Sequence, residues 1–309
     1  MNRLLTASLL FLGCAPALRT LPSGPPAREA LSSAGAARTV LGVNVWLFDS
    51  APGDRSKPVL LCLHAIGHGS GDFTPLVVPG WRVIAIDWPG HGRSAQDTQP
   101  ASATRYAEFL TALIDDLKLE RPVILGNSIG GAAAIRYAAA HPEKVRALVL
   151  ANPGGLDSGA SGLLGRFFIG NLVSHFEQGV RNEARFADWF AAYYADIVRT
   201  EAGRARRDQI VAAGYDSAQP LVDAWTSFMQ ADAYIAPLLP KLTMPTLVAW
   251  ADKDGLVSWS RNREAIATIP NATVVHFAES GHAAFIDEPG RFQASLIAFI
   301  ASLEKLRVP

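Results

Sequence analysis

The strongest chemical signal in the sequence is the run Gly126-Asn127-Ser128-Ile129-Gly130-Gly131. It places a serine hydroxyl between two glycines, each two residues away, in the pattern G-x-S-x-G. That pattern has meaning where a buried strand turns directly into a helix. Here Pro122-Val-Ile-Leu125 reads as the strand and Ile129 to Ala140 as an Ala-rich helix. So sharp a turn strains its central residue and leaves room only for hydrogen at the flanking positions, which explains Gly126 and Gly130. The strain lifts the Ser128 oxygen clear of the sheet. Helix N–H groups then face any oxyanion that develops nearby. An ordinary N-cap serine in a Gly-rich helix entry is the competing reading. It is the weaker one, because the flanking strand and helix both fit.

A serine needs a base, and the base needs an orienting acid. After the apolar run Pro245 to Trp250 comes Ala251-Asp252-Lys253-Asp254-Gly255. After Thr273 to Phe277 comes Ala278-Glu279-Ser280-Gly281-His282. Asp254 and His282 are therefore the candidates, both in loops at the C-terminal ends of strands, where open parallel sheets place their sites. Asp252 is the rival acid, nearer the strand end. Among the other histidines, His276 lies inside a strand and is expected to be packed. His141 precedes Pro142 and reads as a helix cap, and His175 reads as a surface residue.

These groups need a scaffold, and the hydrophobic pattern supplies one. Val40 to Phe48 alternates weakly and reads as a strand. Pro58 to Leu63, Trp81 to Ile86 and Ala147 to Ala151 are short continuous apolar runs, as expected of strands buried on both faces. Thr104 to Leu117 carries apolar residues at helical spacing, and Pro289 opens a last helix toward Lys305. Strands alternating with helices predict an α/β fold: a mostly parallel sheet with helices on both faces. Residues 153–240 break the rhythm. They hold no convincing strand and twelve aromatics, and they read as an inserted helical unit.

The composition agrees with a folded, core-forming chain. It has 309 residues, 49% hydrophobic and 18% charged, with 28 basic and 28 acidic side chains that cancel. A neutral chain has no electrostatic reason to bind nucleic acid. Two cysteines, Cys14 and Cys62, cannot make a disulfide scaffold. Residues 1–37 read as a leader and linker. Arg3 precedes the apolar run Leu4 to Leu12, small residues Ala15-Pro16-Ala17 follow, and Pro22 to Pro26 is linker-like. The sequence leaves open cleavage after Ala17, cleavage at Cys14, since Leu12-Gly13-Cys14 is similar to a bacterial lipoprotein box, or no cleavage. The expectation is export, to the periplasm or to a membrane surface through a lipidated Cys14.

Taken together, residues 40–309 resemble the α/β-hydrolase family. Ser128, Asp254 and His282 follow that family's chain order of serine, acid, histidine. Asp87-Trp-Pro-Gly-His-Gly-Arg-Ser94 is similar to its D-x-x-G-x-G-x-S loop, and Leu63-His64-Ala65-Ile66-Gly67 to its His-Gly loop, with Ala65 where Gly is usual. The resemblance implies an oxyanion hole made by the backbone N–H groups of Ile66 and Ile129. It also implies a helical cap at 153–240 on a hydrolase core of 38–152 plus 241–309, with no cofactor. His64, His68, Asp72 and His91 have a superficial likeness to zinc-hydrolase loops, but two of them belong to the family loops, and a metal is not expected. Nor does any G-x-G-x-x-G run support a dinucleotide. A serine nucleophile argues against the family's dehalogenase and epoxide hydrolase branches, which use Asp there.

The implied activity is a serine hydrolase cleaving a carboxylic ester, or a similar acyl bond, of a small, largely apolar substrate through an acyl-enzyme. The alternative is a carbon–carbon bond hydrolase of the ring-fission-product type, to which Gly126–Gly131 and Asn152-Pro-Gly-Gly155 are similar. Those enzymes usually carry Gly-Pro-Gly-Ala in the oxyanion loop, where this chain has Ala65-Ile-Gly-His-Gly69. Cofactor-free haloperoxidase side activity is compatible with the same triad. A third reading, from another class, is a non-catalytic small-ligand receptor on the same fold.

Overall fold

The computed structural model describes residues 35–305. The leader features named above, Leu4–Leu12, Cys14 and Ala15–Ala17, lie outside the described residues.

The chain enters through a hairpin of β1 (Gly35–Val40) and β2 (Val43–Asp49). The single strand expected over Val40 to Phe48 is therefore broken. Leu41 (φ 47°) and Gly42 (φ 80°) form a two-residue turn, and Val40 pairs with Val43 across it. Positive φ at both turn residues matches the right-handed twist of the flanking strands. The apolar alternation ran through the turn because both of these paired valines are buried.

Next come β3 (Val59–Leu63) and β4 (Arg82–Ile86), then α1 (Ala103–Leu117), β5 (Val123–Asn127), α2 (Ile129–Ala140) and β6 (Ala147–Ala151). The last third holds β7 (Thr246–Ala251) and β8 (Ala272–Phe277). The eight strands form one sheet in the order β1-β2-β4-β3-β5-β6-β7-β8. Only the β1–β2 and β2–β4 pairs are antiparallel. Every residue of β5, β6 and β7 is buried. That is why these strands read as unbroken apolar runs, and each buried Leu or Ile contributes about 2 kcal/mol. Cys62, inside β3, is fully buried. On α1 the Ser102 Oγ accepts the Arg105 N–H at the start, and Lys118 ends the helix in the left-handed region.

Between β6 and β7 lie α3 (Leu163–Val180), α4 (Arg185–Ile197), α5 (Arg204–Ala212) and α6 (Gly214–Ser227), with no strand among the described residues. Its aromatics pack chiefly on one another. Phe176 meets Trp189 and Tyr193 edge-on at 5.1 and 5.6 Å, and Phe186 stacks on Phe190 at 5.0 Å. The first turns of α3 instead expose Leu163, Leu164, Phe167 and Phe168. After β7 come α7 (Trp259–Ile266), the short α8 (Ala284–Asp287) and the closing α9 (Pro289–Lys305).

Candidate active site

Asn127 ends β5 and Ile129 begins α2, so Ser128 is the whole of the turn between them. Its backbone sits at φ 54°, ψ −119°, a conformation that costs a non-glycine residue about 1–3 kcal/mol. A Cβ on Gly126 would lie 2.6 Å from the Gly130 carbonyl oxygen, and one on Gly130 would lie 2.5 Å from the Leu63 oxygen. The two glycines thus let α2 close onto the ends of β5 and β3. Gly131 is equally constrained, its Cβ position lying 2.9 Å from Pro153 Cβ. The turn is pinned by three backbone bonds. Ser128 N–H donates to Ala151 O (3.1 Å), and Ser128 O accepts from Ala132 N (2.9 Å) and Gly154 N (3.0 Å).

The structure brings Asp254 and His282 together from the loops after β7 and β8. His282 Nδ1 lies 2.7 Å from Asp254 Oδ2, with both side chains almost wholly buried. An Nδ1–H donating to the carboxylate leaves the Nε2 lone pair as the proton acceptor. The carboxylate is itself fixed. Leu256 N (2.7 Å) and Val257 N (3.1 Å) donate to Oδ1, and Asn152 Nδ2 (2.7 Å) donates to Oδ2. Asn152 sits at φ 40° and anchors to β7 by accepting the Ala251 N–H at 2.8 Å. His282 is held through its backbone. Its N–H donates to Ile197 O (2.7 Å) at the end of α4, and its carbonyl accepts from Asn127 Nδ2 (3.0 Å).

Asp252 is elsewhere: its Oδ1 pairs with His276 Nδ1 at 2.7 Å on the surface. His276 is not packed away as its strand position suggested. Its side chain is 41% exposed, because β8 is the sheet's last strand and its outer residues face solvent. His141 caps α2 as expected, and His175 stacks on Trp189 at 4.6 Å.

The two expected oxyanion donors are both unspent: neither Ile66 N–H nor Ile129 N–H makes a hydrogen bond among the described residues. Ile129 is the first residue of α2 and has no helical acceptor. The Ile66 loop is propped by two histidines. His64 Nε2 accepts from Trp88 N (2.9 Å), and its Nδ1 donates to Ala65 O (2.6 Å). His91 Nε2 accepts from Gly67 N (3.0 Å), and its Nδ1 donates to Pro89 O (3.1 Å). Both rings therefore act as neutral imidazoles. Burial holds His64 well below the ordinary histidine range and brings His91 down to about 4. Asp87 closes the second loop, accepting from Ser70 N (2.5 Å) and Arg93 N (3.0 Å). Burial pushes its carboxyl up.

His68 and Asp72 pair with each other at 2.8 Å, and Arg206 Nε from α5 donates to the second Asp72 oxygen at 2.7 Å. Among the described residues no group of three or more His, Cys, Asp or Glu side chains is gathered to hold a metal ion. The structure thus adds residues that the sequence pattern did not single out: Asn127, Asn152, Ile197, Tyr194 and Arg206. The Asn152-Pro-Gly-Gly run carries no local clue to its bond with Asp254.

The model of the α/β-hydrolase fold family matches residues 58–289, a span that runs from β3 through His282. The chain belongs to the α/β-hydrolase family. A 2-hydroxy-6-oxononadienedioate/2-hydroxy-6-oxononatrienedioate hydrolase of Cupriavidus pinatubonensis is 29% identical over 257 residues, covering 79% of this chain and 86% of the relative. A 2-hydroxy-6-oxo-6-phenylhexa-2,4-dienoate hydrolase of Burkholderia cepacia is 25% identical, covering 84% and 91%. Among solved structures, an esterase from Exiguobacterium antarcticum superposes with a TM-score of 0.72 at 21% identity, covering 86% of this chain and 99% of that one. This last likeness is one of fold.

Proposed function

We propose that this α/β-hydrolase is a serine hydrolase in which Ser128 is the nucleophile, His282 the base, Asp254 its orienting acid, and the Ile66 and Ile129 N–H groups the oxyanion donors. The observation that carries this reading is the buried 2.7 Å His282–Asp254 bond, with the strained Ser128 at the head of α2. His282 Nε2 takes the Ser128 proton as Oγ adds to a carbonyl carbon. The oxyanion is met by the two unspent N–H groups, each worth roughly a hundredfold or more in rate. The intermediate collapses to an acyl-enzyme, the leaving group takes the proton from His282, and water activated by His282 releases the acid. In the same reading residues 153–240 form a cap on the unit of 38–152 and 241–309.

For the bond broken, the relatives favour carbon–carbon cleavage of a vinylogous diketone over the ester first expected from sequence. The carbon leaving group departs with the electron pair, spread over its conjugated dienolate, and is protonated by His282. One observation favours an uncharged ester instead. A dienedioate carries two carboxylates, whereas Arg206, a largely buried cation beside the His64–Gly69 loop, is already paired with Asp72.

A fluorophosphonate probe and a substrate panel test both points. The panel holds p-nitrophenyl acetate, p-nitrophenyl butyrate and a 2-hydroxy-6-oxo-dienoate. Labelling and turnover that vanish in Ser128→Ala support the nucleophile. The larger kcat/KM names the bond class. An unlabelled, inactive wild type that still binds such ligands overturns the reading in favour of a receptor. The leader reading has its own check: an intact Met1 in a soluble cytosolic fraction, found by N-terminal sequencing, overturns export.

A further inference from the structure

The geometry points to Tyr194 and the Arg206–Asp72–His68 array as positioning residues that aim the Ile66 N–H, so that the helical insert sets the oxyanion hole. This rests on the proposed role of Ile66.

The donor is the N–H of the Ala65–Ile66 peptide. A peptide is planar, so whatever orients its carbonyl also orients its N–H. The Ala65 carbonyl accepts from His64 Nδ1 (2.6 Å) and from the His68 backbone N–H (3.2 Å). His64 belongs to the sheet side, tied to Trp88. His68, in the same core loop, faces the insert. Its ring is bonded to Asp72 Oδ2, and Asp72 Oδ1 is bonded to Arg206 Nε of α5. A chain of contacts therefore runs from α5 to the Ala65–Ile66 peptide and is largely buried: the Asp72 carboxylate is wholly buried, and the His68 and Arg206 side chains are 1% and 15% exposed.

The next peptide is gripped in the same two-sided way. The Gly67 N–H goes to His91 on the sheet side. The Ile66 carbonyl lies 3.5 Å from the Tyr194 hydroxyl of α4, which donates to it. Gly67 sits at φ 79°, and a Cβ there would collide with that same hydroxyl, so the loop and α4 are in direct contact. The His68 ring also lies 5.5 Å from the Tyr194 ring. One turn further along α4, Ile197 O accepts the His282 N–H. A single helix end thus reaches both the donor loop and the base.

Burial raises the cost of disturbing this array. It pushes the Asp72 carboxyl up and the Arg206 guanidinium down to about 10, while the ion pair joins the two groups at 2.7 Å. Without Arg206, the Asp72 Oδ1 would lose its 2.7 Å partner and the hold on the His68 ring would loosen.

The full chain is tested as Tyr194→Phe, Arg206→Gln and Arg206→Lys. The readouts are the rate of fluorophosphonate labelling, kcat and KM on the best panel substrate, and Tm. A positioning role predicts labelling and kcat down about tenfold in Tyr194→Phe, and further in Arg206→Gln, with KM within about threefold. Arg206→Lys, which keeps the charge, recovers part of the loss. Unchanged labelling and kcat in Tyr194→Phe overturn the inference. So does a loss in Arg206→Gln that tracks a lowered Tm and is not relieved by lysine. If Arg206→Gln does not fold, Tyr194→Phe alone decides. A wild type that neither labels nor turns over overturns the catalytic reading beneath it, a result distinct from an active wild type matched by its variants.

Discussion

Asp252 and Asp254 are two residues apart, and only the fold separates their roles. Asp254 is buried against His282, while Asp252 pairs with His276 at the surface. Asp254→Asn should lower kcat by on the order of a thousandfold or more, since the amide no longer favours the working tautomer of His282. Asp252→Asn should leave kcat within about twofold, because its contact with His276 is solvent-exposed and contributes little. Steady-state kinetics on one substrate checks both. Ser128 and His282 were legible because each carries a local signature, a glycine frame or a glycine turn after a strand. Asn152 and Tyr194 were not. Their partners stand 102 and 128 residues away in sequence, and nothing local marks such a bond.

At the scale of elements, the strand-to-helix turn makes the sharpest prediction. Gly126→Ala would force a Cβ into the Gly130 backbone, which cannot move aside as a side chain could. The cost is about 1–3 kcal/mol in stability, together with a displaced Ser128 and lost labelling. Gly255→Ala is the control: it lies beside Asp254, yet nothing stands within 4 Å of its Cβ position. It should fold and label like the wild type. Urea titration and probe labelling of the two variants make the comparison. The central strands and α2 were readable because burial on both faces leaves an unbroken apolar run. The β1–β2 hairpin was not, since Leu41-Gly42 carries no strong turn pair and the apolar spacing continues through it. Strand position in the sheet is equally hidden in the sequence, and the exposure of His276 follows from β8 being at the edge.

For the molecule as a whole, pH should act through a buried histidine. His91 is neutral in the fold, its ordinary value of 6.5 brought down to about 4. The unfolded chain therefore binds a proton that the folded chain refuses between those values. Stability from this group is complete above about pH 6.5 and falls toward pH 4, by about 3 kcal/mol in all. Asp87, with its carboxyl pushed up by burial, opposes it at the low end. His91→Asn should thus flatten the stability–pH slope over this window relative to wild type. Urea unfolding at pH 7 and pH 5 measures the difference. The insert's place between two strands was legible from the break in the strand–helix rhythm, while its bonds to the Ala65–Gly67 loop and to His282 emerge only from the folded chain.

Cys62 lies in the middle of β3, with neighbours β4 and β5 on either side, and burial pushes its thiol up. A disulfide reagent cannot reach it unless the central sheet parts. In a Cys14→Ser background it becomes a clock for global opening. Its modification rate, read from released thionitrobenzoate, should follow the unfolding equilibrium rather than solvent exposure of any loop. A rapid reaction in native buffer would mean that the sheet opens beside β3 without unfolding the rest.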